Sequence, residues 1–164
     1  SINEQGQKDA RQLALLMQER TVDAIYTSSL KRTKETAQLA FPDRQVKSLG
    51  DFDERGFGQW EGLTDDEIEA AFPEVWQAWL EAPFEVTPPE AEVFSDFQTR
   101  VWTATDRLLD SDDESMALVA HLGVLRLIYQ HSVDREAVFW NIDVSQGRVL
   151  LLEERDQTWQ ATLL

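Results

Sequence analysis

The residues of this chain best suited to chemistry are His121-Leu122-Gly123, directly after the apolar run Met116-Ala117-Leu118-Val119-Ala120. Such a run reads as a strand buried on both faces, and the carboxyl end of a buried strand is where open α/β sheets bind their ligands. Burial of the strand holds the imidazole in place. Glycine opens the next helix, so the amides of about Gly123 to Arg126 face any anion that approaches. A core histidine that caps a strand fits the same residues, and His121 alone leaves both readings open.

Three further groups carry polar side chains that could converge on it. Tyr26-Thr27-Ser28-Ser29-Leu30-Lys31-Arg32 follows a short apolar strand. Its hydroxyls and the Arg32 guanidinium therefore sit at a strand end and in a first helical turn, where arginine offers a planar fork of donors to an oxyanion. Serine caps and basic helix turns are also common for structural reasons. Asp53-Glu54-Arg55 lies among Gly56, Gly58 and Gly62. A carboxylate there can approach a ligand and donate a proton if its pKa is raised; a solvated loop acid is the simpler account. Glu92 precedes a long helix and equally suits a partner for the helix dipole.

The elements that must position these groups follow from periodicity. Ala10, Leu13, Ala14 and Met17 mark one face of a helix over about residues 4–20. A strand is expected over 23–27, a helix over 31–40 stopped by Phe41-Pro42, and a strand over 46–49. Residues 50–62 read as irregular loop. Thr64 and Glu67 form a capping-box pattern before a helix to about Phe72, and Pro73 starts another through Leu80. Residues 82–91, with three prolines, form a loop, and a long helix covers 93–110. After the His121 strand and its helix, 149–152 and 159–163 flank Glu154-Arg155-Asp156-Gln157 as a hairpin. Helices between strands imply an α/β three-layer sandwich: a mostly parallel sheet with helices on both faces and a C-terminal antiparallel hairpin.

Composition bounds the function. The 164 residues are 42% hydrophobic, which suits a single domain with a real core. The longest apolar tract is interrupted by His121, Gly123 and Arg126, so no membrane span or signal peptide is expected. A net charge of -16 repels nucleic acid and anionic membranes. Any anion site must therefore be made locally, from a few arginines, imidazoles and amides. With no cysteine there are no disulfides and no thiolate chemistry, which fits a cytoplasmic protein.

Taken together and in order, Ile25 to Ala37, Glu54-Arg55-Gly56-Phe57-Gly58-Gln59-Trp60-Glu61-Gly62, Glu92 to Val101 and Val119 to Arg126 resemble the histidine phosphatase superfamily, the phosphoglycerate-mutase-like fold. The stretch from Asn3 to Ala14 is similar to the family's first helix. The small size and Gln146-Gly147 look closest to the bacterial α-ribazole phosphatase and broad phosphatase branch. The resemblance implies phosphoryl transfer from a small phosphorylated substrate through a phosphohistidine, without metal or other cofactor. It makes Arg32 a phosphate clamp, His121 the supporting second histidine and Glu54 the acid/base that protonates the leaving oxygen. Ser28, Ser29, the Leu122 amide and Glu92 are expected at the substrate. Val93 replaces a frequent serine and Leu122 a frequent glycine. Short loops leave less room for a mutase lid and favour a phosphatase.

One departure is large. The family's Arg-His-Gly strand, which carries the nucleophilic histidine, should precede the segment matched by Asn3 to Ala14, where only Ser1 and Ile2 stand. The remaining histidine, His131, reads as a helix-end residue. Loss of a central strand should leave unpaired backbone groups beside apolar neighbours. Three answers are open: an upstream segment not among these residues, a shortened relative whose sheet has closed up, or a homodimer that lends a strand. The abrupt start favours the first. Two functions follow: a phosphomonoesterase completed by an upstream Arg-His-Gly, with these 164 residues inactive alone, or a non-catalytic relative that binds phosphorylated ligands or a protein.

Overall fold

The computed structural model describes residues 2–143 and 149–164; Gln146 and Gly147 lie outside them. The chain forms two compact units, one from Ser1–Glu54 with Val101–Leu164 and one from Arg55–Arg100.

In the first unit, α1 (Glu4–Met17) starts at Asn3, whose side chain accepts the Gly6 amide, and buries Ala10, Leu13 and Met17. It ends before the expected Arg20 because the chain must turn to bring Val22 into the core. The strand β1 (Ala24–Thr27) begins one residue late. Asp23 is not part of it: its carboxylate accepts the amides of Glu114 and Ser115 and ties the start of β1 to the start of β3 (Ser115–Val119). The helix α2 covers Lys31–Ala40 as expected. The strand β2 is only Lys47–Ser48, because the Leu49 amide bonds to Thr27 and a 3-10 turn follows at once over Gly50–Phe52.

The sheet has the order β2-β1-β3-β4-β5, with β4 over Val149–Arg155 and β5 over Thr158–Leu163. β2, β1 and β3 are parallel, while β4 pairs antiparallel with both β3 and β5. Registry aligns Ile25, Ala117 and Leu151 across three strands, and Tyr26, Leu118 and Leu150 one residue on. The first row faces a core made with Leu13, Met17, Ala37, Ala40 and Phe41 from α1, α2 and the end of α2. The second row is equally buried, so the three central strands are covered on both faces. The helix α6 (Leu122–Ser132) leaves β3 after two residues.

Loss of a central strand is expected to leave unpaired backbone groups, yet the described central strands are bonded to one another. Met116 to Val119 pair in register with Leu152 to Val149, so β4 lies directly against β3. The hairpin is also longer than its sequence pattern implies. Its strands run to Arg155 and from Thr158, and the turn is only Asp156-Gln157, with φ of 53° and 66°. Two positive φ values give the turn whose twist matches that of the strands.

The second unit is built around aromatic side chains. The 3-10 turn Gly58–Trp60, inside the stretch expected to be irregular, presents Trp60 to Trp76 and Trp79, with ring centroids 5.7 to 5.8 Å apart. The two tryptophans come from α4 (Pro73–Glu81), which follows α3 (Asp65–Ala71). Thr64 caps α3 by accepting the Glu67 amide, and its hydroxyl donates to the Glu67 carboxylate. Gly58 has φ of 56°, and a Cβ there would collide with Pro89, Glu90 and Ala91. Only glycine lets the 88–91 turn approach so closely, and the Gln59 amide bonds to the Pro89 carbonyl there.

Glu92 closes this unit. Arg100, in the first half of α5 (Phe94–Leu109), grips its carboxylate through Nε at 2.8 Å and Nη2 at 2.9 Å. The Glu92 amide donates to the Gly56 carbonyl, and Arg55 Nε donates to the Glu92 carbonyl. Hydrogen bonding to Arg100, opposed by partial burial and helped by the Arg100 charge, holds the Glu92 carboxyl below the ordinary 4.5.

Two predictions follow from these elements. Gln157→Gly, by removing the cost of a side chain at positive φ, raises stability by about 0.5–1 kcal/mol in urea unfolding; no increase would contradict the turn geometry. Glu92 stabilises the fold while ionised, above its unfolded value of 4.5, and this contribution disappears as pH falls through its lower folded value. Glu92→Gln therefore costs up to about 1 kcal/mol near neutrality, the range of a partly exposed ion pair. Melts of the two proteins converge below pH 4.5.

Candidate active site

The parallel pairing of β1 with β3 matches Thr27 to Val119, and the Ser28 amide extends the ladder to the Val119 carbonyl. Two residues later β3 delivers His121. The two strand ends thus meet: Ser28 Oγ lies 2.8 Å from His121 Nε2, with Ser28 0% and His121 5% exposed. Arg32, in the first turn of α2, reaches the other side of the ring, its Nη2 3.4 Å from His121 Nδ1. Ser28, Arg32 and His121 are therefore brought together by the sheet and one helical turn. Leu30, between Ser28 and α2, has extended backbone, which lets the chain turn from strand to helix in three residues.

Hydrogen-bond direction around this group is determined by donor arithmetic. Arginine can only donate, so Nδ1 of His121 accepts and the neutral ring carries its proton on Nε2. Nε2–H then donates to Ser28 Oγ, which also accepts the Leu30 amide at 3.3 Å. Thr33 Oγ1 donates to the Leu30 carbonyl at 2.8 Å and lies 2.8 Å from Ser28 Oγ. Its one proton is thereby used, and Ser28 donates to it.

The acidic residues take separate places. Glu54 Oε2 accepts the Gly123 amide at 3.1 Å, in the first turn of α6. A Cβ at Gly123 would stand 2.5 Å from Glu54 Oε1, so the missing side chain is what admits the carboxylate. An anion-binding helix start was expected here; the chain's own carboxylate is bound to it, a placement that α6's positive end favours. Ser29 turns away from His121: its amide and hydroxyl donate to the two oxygens of Asp53, at 2.7 and 2.6 Å. Leu122 opens α6 with its side chain partly exposed. Glu92 belongs to the Arg55–Arg100 unit, where Arg100 and the Gly56 amide hold it.

Two participants were not singled out from the sequence. Thr33 follows Arg32 with no spacing signal of its own, because its part depends on the hydroxyl of Ser28 being turned toward it. Asp53 was noted only as a neighbour of Glu54, and its bonds to Ser29 join segments 24 residues apart.

His131 lies elsewhere on α6. Its Nε2 is 2.7 Å from Asp106, and its ring stacks on Trp102 with centroids 4.8 Å apart. It joins α6 to α5 and touches none of the residues around His121. An open pocket lined by Tyr129, Val138, Ile142 and Leu163 also contains none of them. Among the described residues, no group of three or more His, Asp or Glu could hold a metal ion, and no helix is long and apolar enough to cross a membrane.

Comparison with known proteins places the chain among relatives of similar sequence and fold. The chain is 29% identical over 150 residues to the adenosylcobalamin/alpha-ribazole phosphatase of Salmonella typhimurium, covering 89% of this chain and 74% of that one. It is 26% identical to phosphoserine phosphatase 1 of Hydrogenobacter thermophilus, over 94% and 76% of the two chains. The alpha-ribazole phosphatase of Shigella flexneri superposes with a TM-score of 0.88 at 25% identity, over 100% of this chain and 83% of that one. The sequence pattern of the histidine phosphatase superfamily (branch 1) matches residues 1–164. Because that match spans the whole chain, the chain belongs to the histidine phosphatase superfamily.

Proposed function

We propose that these residues form the phosphate-binding and acid/base part of a phosphomonoesterase that acts through a phosphohistidine on a small phosphorylated metabolite. The observation that carries this is the meeting of Arg32, Ser28 and His121 at the carboxyl ends of two adjacent parallel strands. Two phosphatase-named relatives match most of the chain. Arg32 supplies the fixed positive charge for the equatorial oxygens, and His121 supports the same group. Glu54 protonates the leaving oxygen and then activates water. The Gly123 amide, donating to Oε2, orients the carboxyl group, with the proton carried on Oε1. Ser28 orients the ring, and Leu122 contributes its amide. Ser29, tied to Asp53, shapes the strand-to-helix turn rather than touching substrate, and Glu92 remains a proposed substrate-side acid.

The nucleophile is assigned to a histidine upstream of these 164 residues. The chain has two histidines. The family resemblance gives His121 the supporting role, and His131 is tied to Asp106 away from the His121 group, so the attacking role is proposed for neither. The protein is proposed to act in the cytoplasm.

A second reading is favoured by one observation: β4 pairs continuously with β3 through five residue pairs, so the centre of the sheet is closed without a further strand. On that reading the protein is a non-catalytic relative that binds a phosphorylated ligand or a protein partner.

Assay of the natural protein with an aryl phosphate separates the two. The first reading predicts turnover and an acid-labile phosphoenzyme, with Arg32→Ala lowering kcat/KM by about 100-fold or more. Absence of both turnover and phosphoenzyme would support the binding module. The 164 residues alone are expected to show negligible turnover; turnover abolished by His121→Ala would refute that expectation.

A further inference from the structure

We propose that Thr33 is a positioning residue that sets the tautomer of His121 through Ser28, and thereby the place of Arg32. The chain of donors runs in one direction: His121 Nε2–H to Ser28 Oγ, Ser28 O–H to Thr33 Oγ1, Thr33 O–H to the Leu30 carbonyl. The Thr33 proton goes to a backbone carbonyl, Leu30 at 2.8 Å in preference to Ser28 at 3.4 Å, which leaves Thr33 Oγ1 to accept from Ser28. Ser28 and Thr33 are buried, at 0% and 4% exposure, so water does not offer an alternative acceptor at low cost.

The consequence lies on the opposite side of the ring. With the proton on Nε2, Nδ1 presents a lone pair to the Arg32 guanidinium 3.4 Å away. In the other tautomer, an N–H would face the arginine's own N–H groups. The two donors would repel, and the guanidinium would have to leave its position. Thr33 does not face the phosphate site itself; it acts by denying the Ser28 hydroxyl proton to Nε2. This inference rests on reading the Arg32 and His121 pair as a phosphate site, and it adds the group that arms that pair.

The test reads the tautomer directly. Long-range proton–nitrogen NMR of the 15N-labelled chain, with His131→Asn to assign the two rings, is expected to show neutral His121 as the Nε2–H form alone. Thr33→Val keeps the shape but removes the acceptor. The Ser28 proton is then free to turn toward Nε2, the Nδ1–H form becomes detectable, and inorganic phosphate binds about threefold to tenfold more weakly. Thr33→Ser restores both. A wild-type Nδ1–H ring, or a folded Thr33→Val protein with an unchanged tautomer, overturns the proposal. If Thr33→Val does not fold, Thr33→Ala removes the same acceptor, and the wild-type tautomer remains decisive on its own. A wild-type chain with the expected tautomer and no phosphate binding would defeat the phosphate-site reading while leaving the relay standing.

Discussion

The hydrogen bond between Ser28 and His121 depends on parallel registry, and the rest of the site depends on that bond. Thr27 stands beside Val119, so the residues that follow β1 and β3 emerge at the same end of the sheet. A shift of one residue would turn Ser28 to the opposite face. The register is in turn set by burial, since Ile25, Ala117 and Leu151 must share one face and Tyr26, Leu118 and Leu150 the other. The apolar rows thus determine a polar contact that none of their side chains makes.

The site achieves charge placement in a chain whose net charge is -16. Long-range attraction does not favour an anion near such a chain, and short-range geometry governs the charges around His121. Arg32 is held against a neutral imidazole rather than a carboxylate, so its charge is not neutralised by that contact. Glu54 lies on the positive end of α6 through the Gly123 amide, and Asp53 is absorbed by Ser29. The two neighbouring acids in the loop therefore brace two different strand-to-helix turns. In the other unit, Arg100 neutralises Glu92 in the same local manner.

Much of this was legible from residue types and spacing. The helix at Lys31–Ala40 is read correctly because Phe41-Pro42 forbids its continuation, and the buried strand before His121 because no other element suits so short an apolar run. The hairpin and the 50–62 segment were less legible. Two-residue turns usually carry Asn-Gly or Asp-Gly, and Asp156-Gln157 lacks the glycine that would have announced one. The turn at Gly58–Trp60 depends on the approach of Pro89, some 30 residues away in sequence, which local pattern does not encode. The expectation of unpaired groups beside a missing central strand was likewise a local inference, and the pairing of β3 with β4, far along the chain, answers it.

By itself the sequence determined the element types and the alternation that makes an α/β sheet, because these follow from side-chain chemistry over a few neighbouring positions, while the candidacy of Arg32, Glu54 and His121 came from the resemblance of ordered segments along the whole chain to one family. Tertiary structure alone decided that Ser28 meets the His121 ring while Ser29 turns to Asp53, that Glu54 binds the Gly123 amide, and that Thr33 completes the relay. Those outcomes join residues up to 93 positions apart. They depend on strand register and hydrogen-bond direction, which exist only once the sheet has formed.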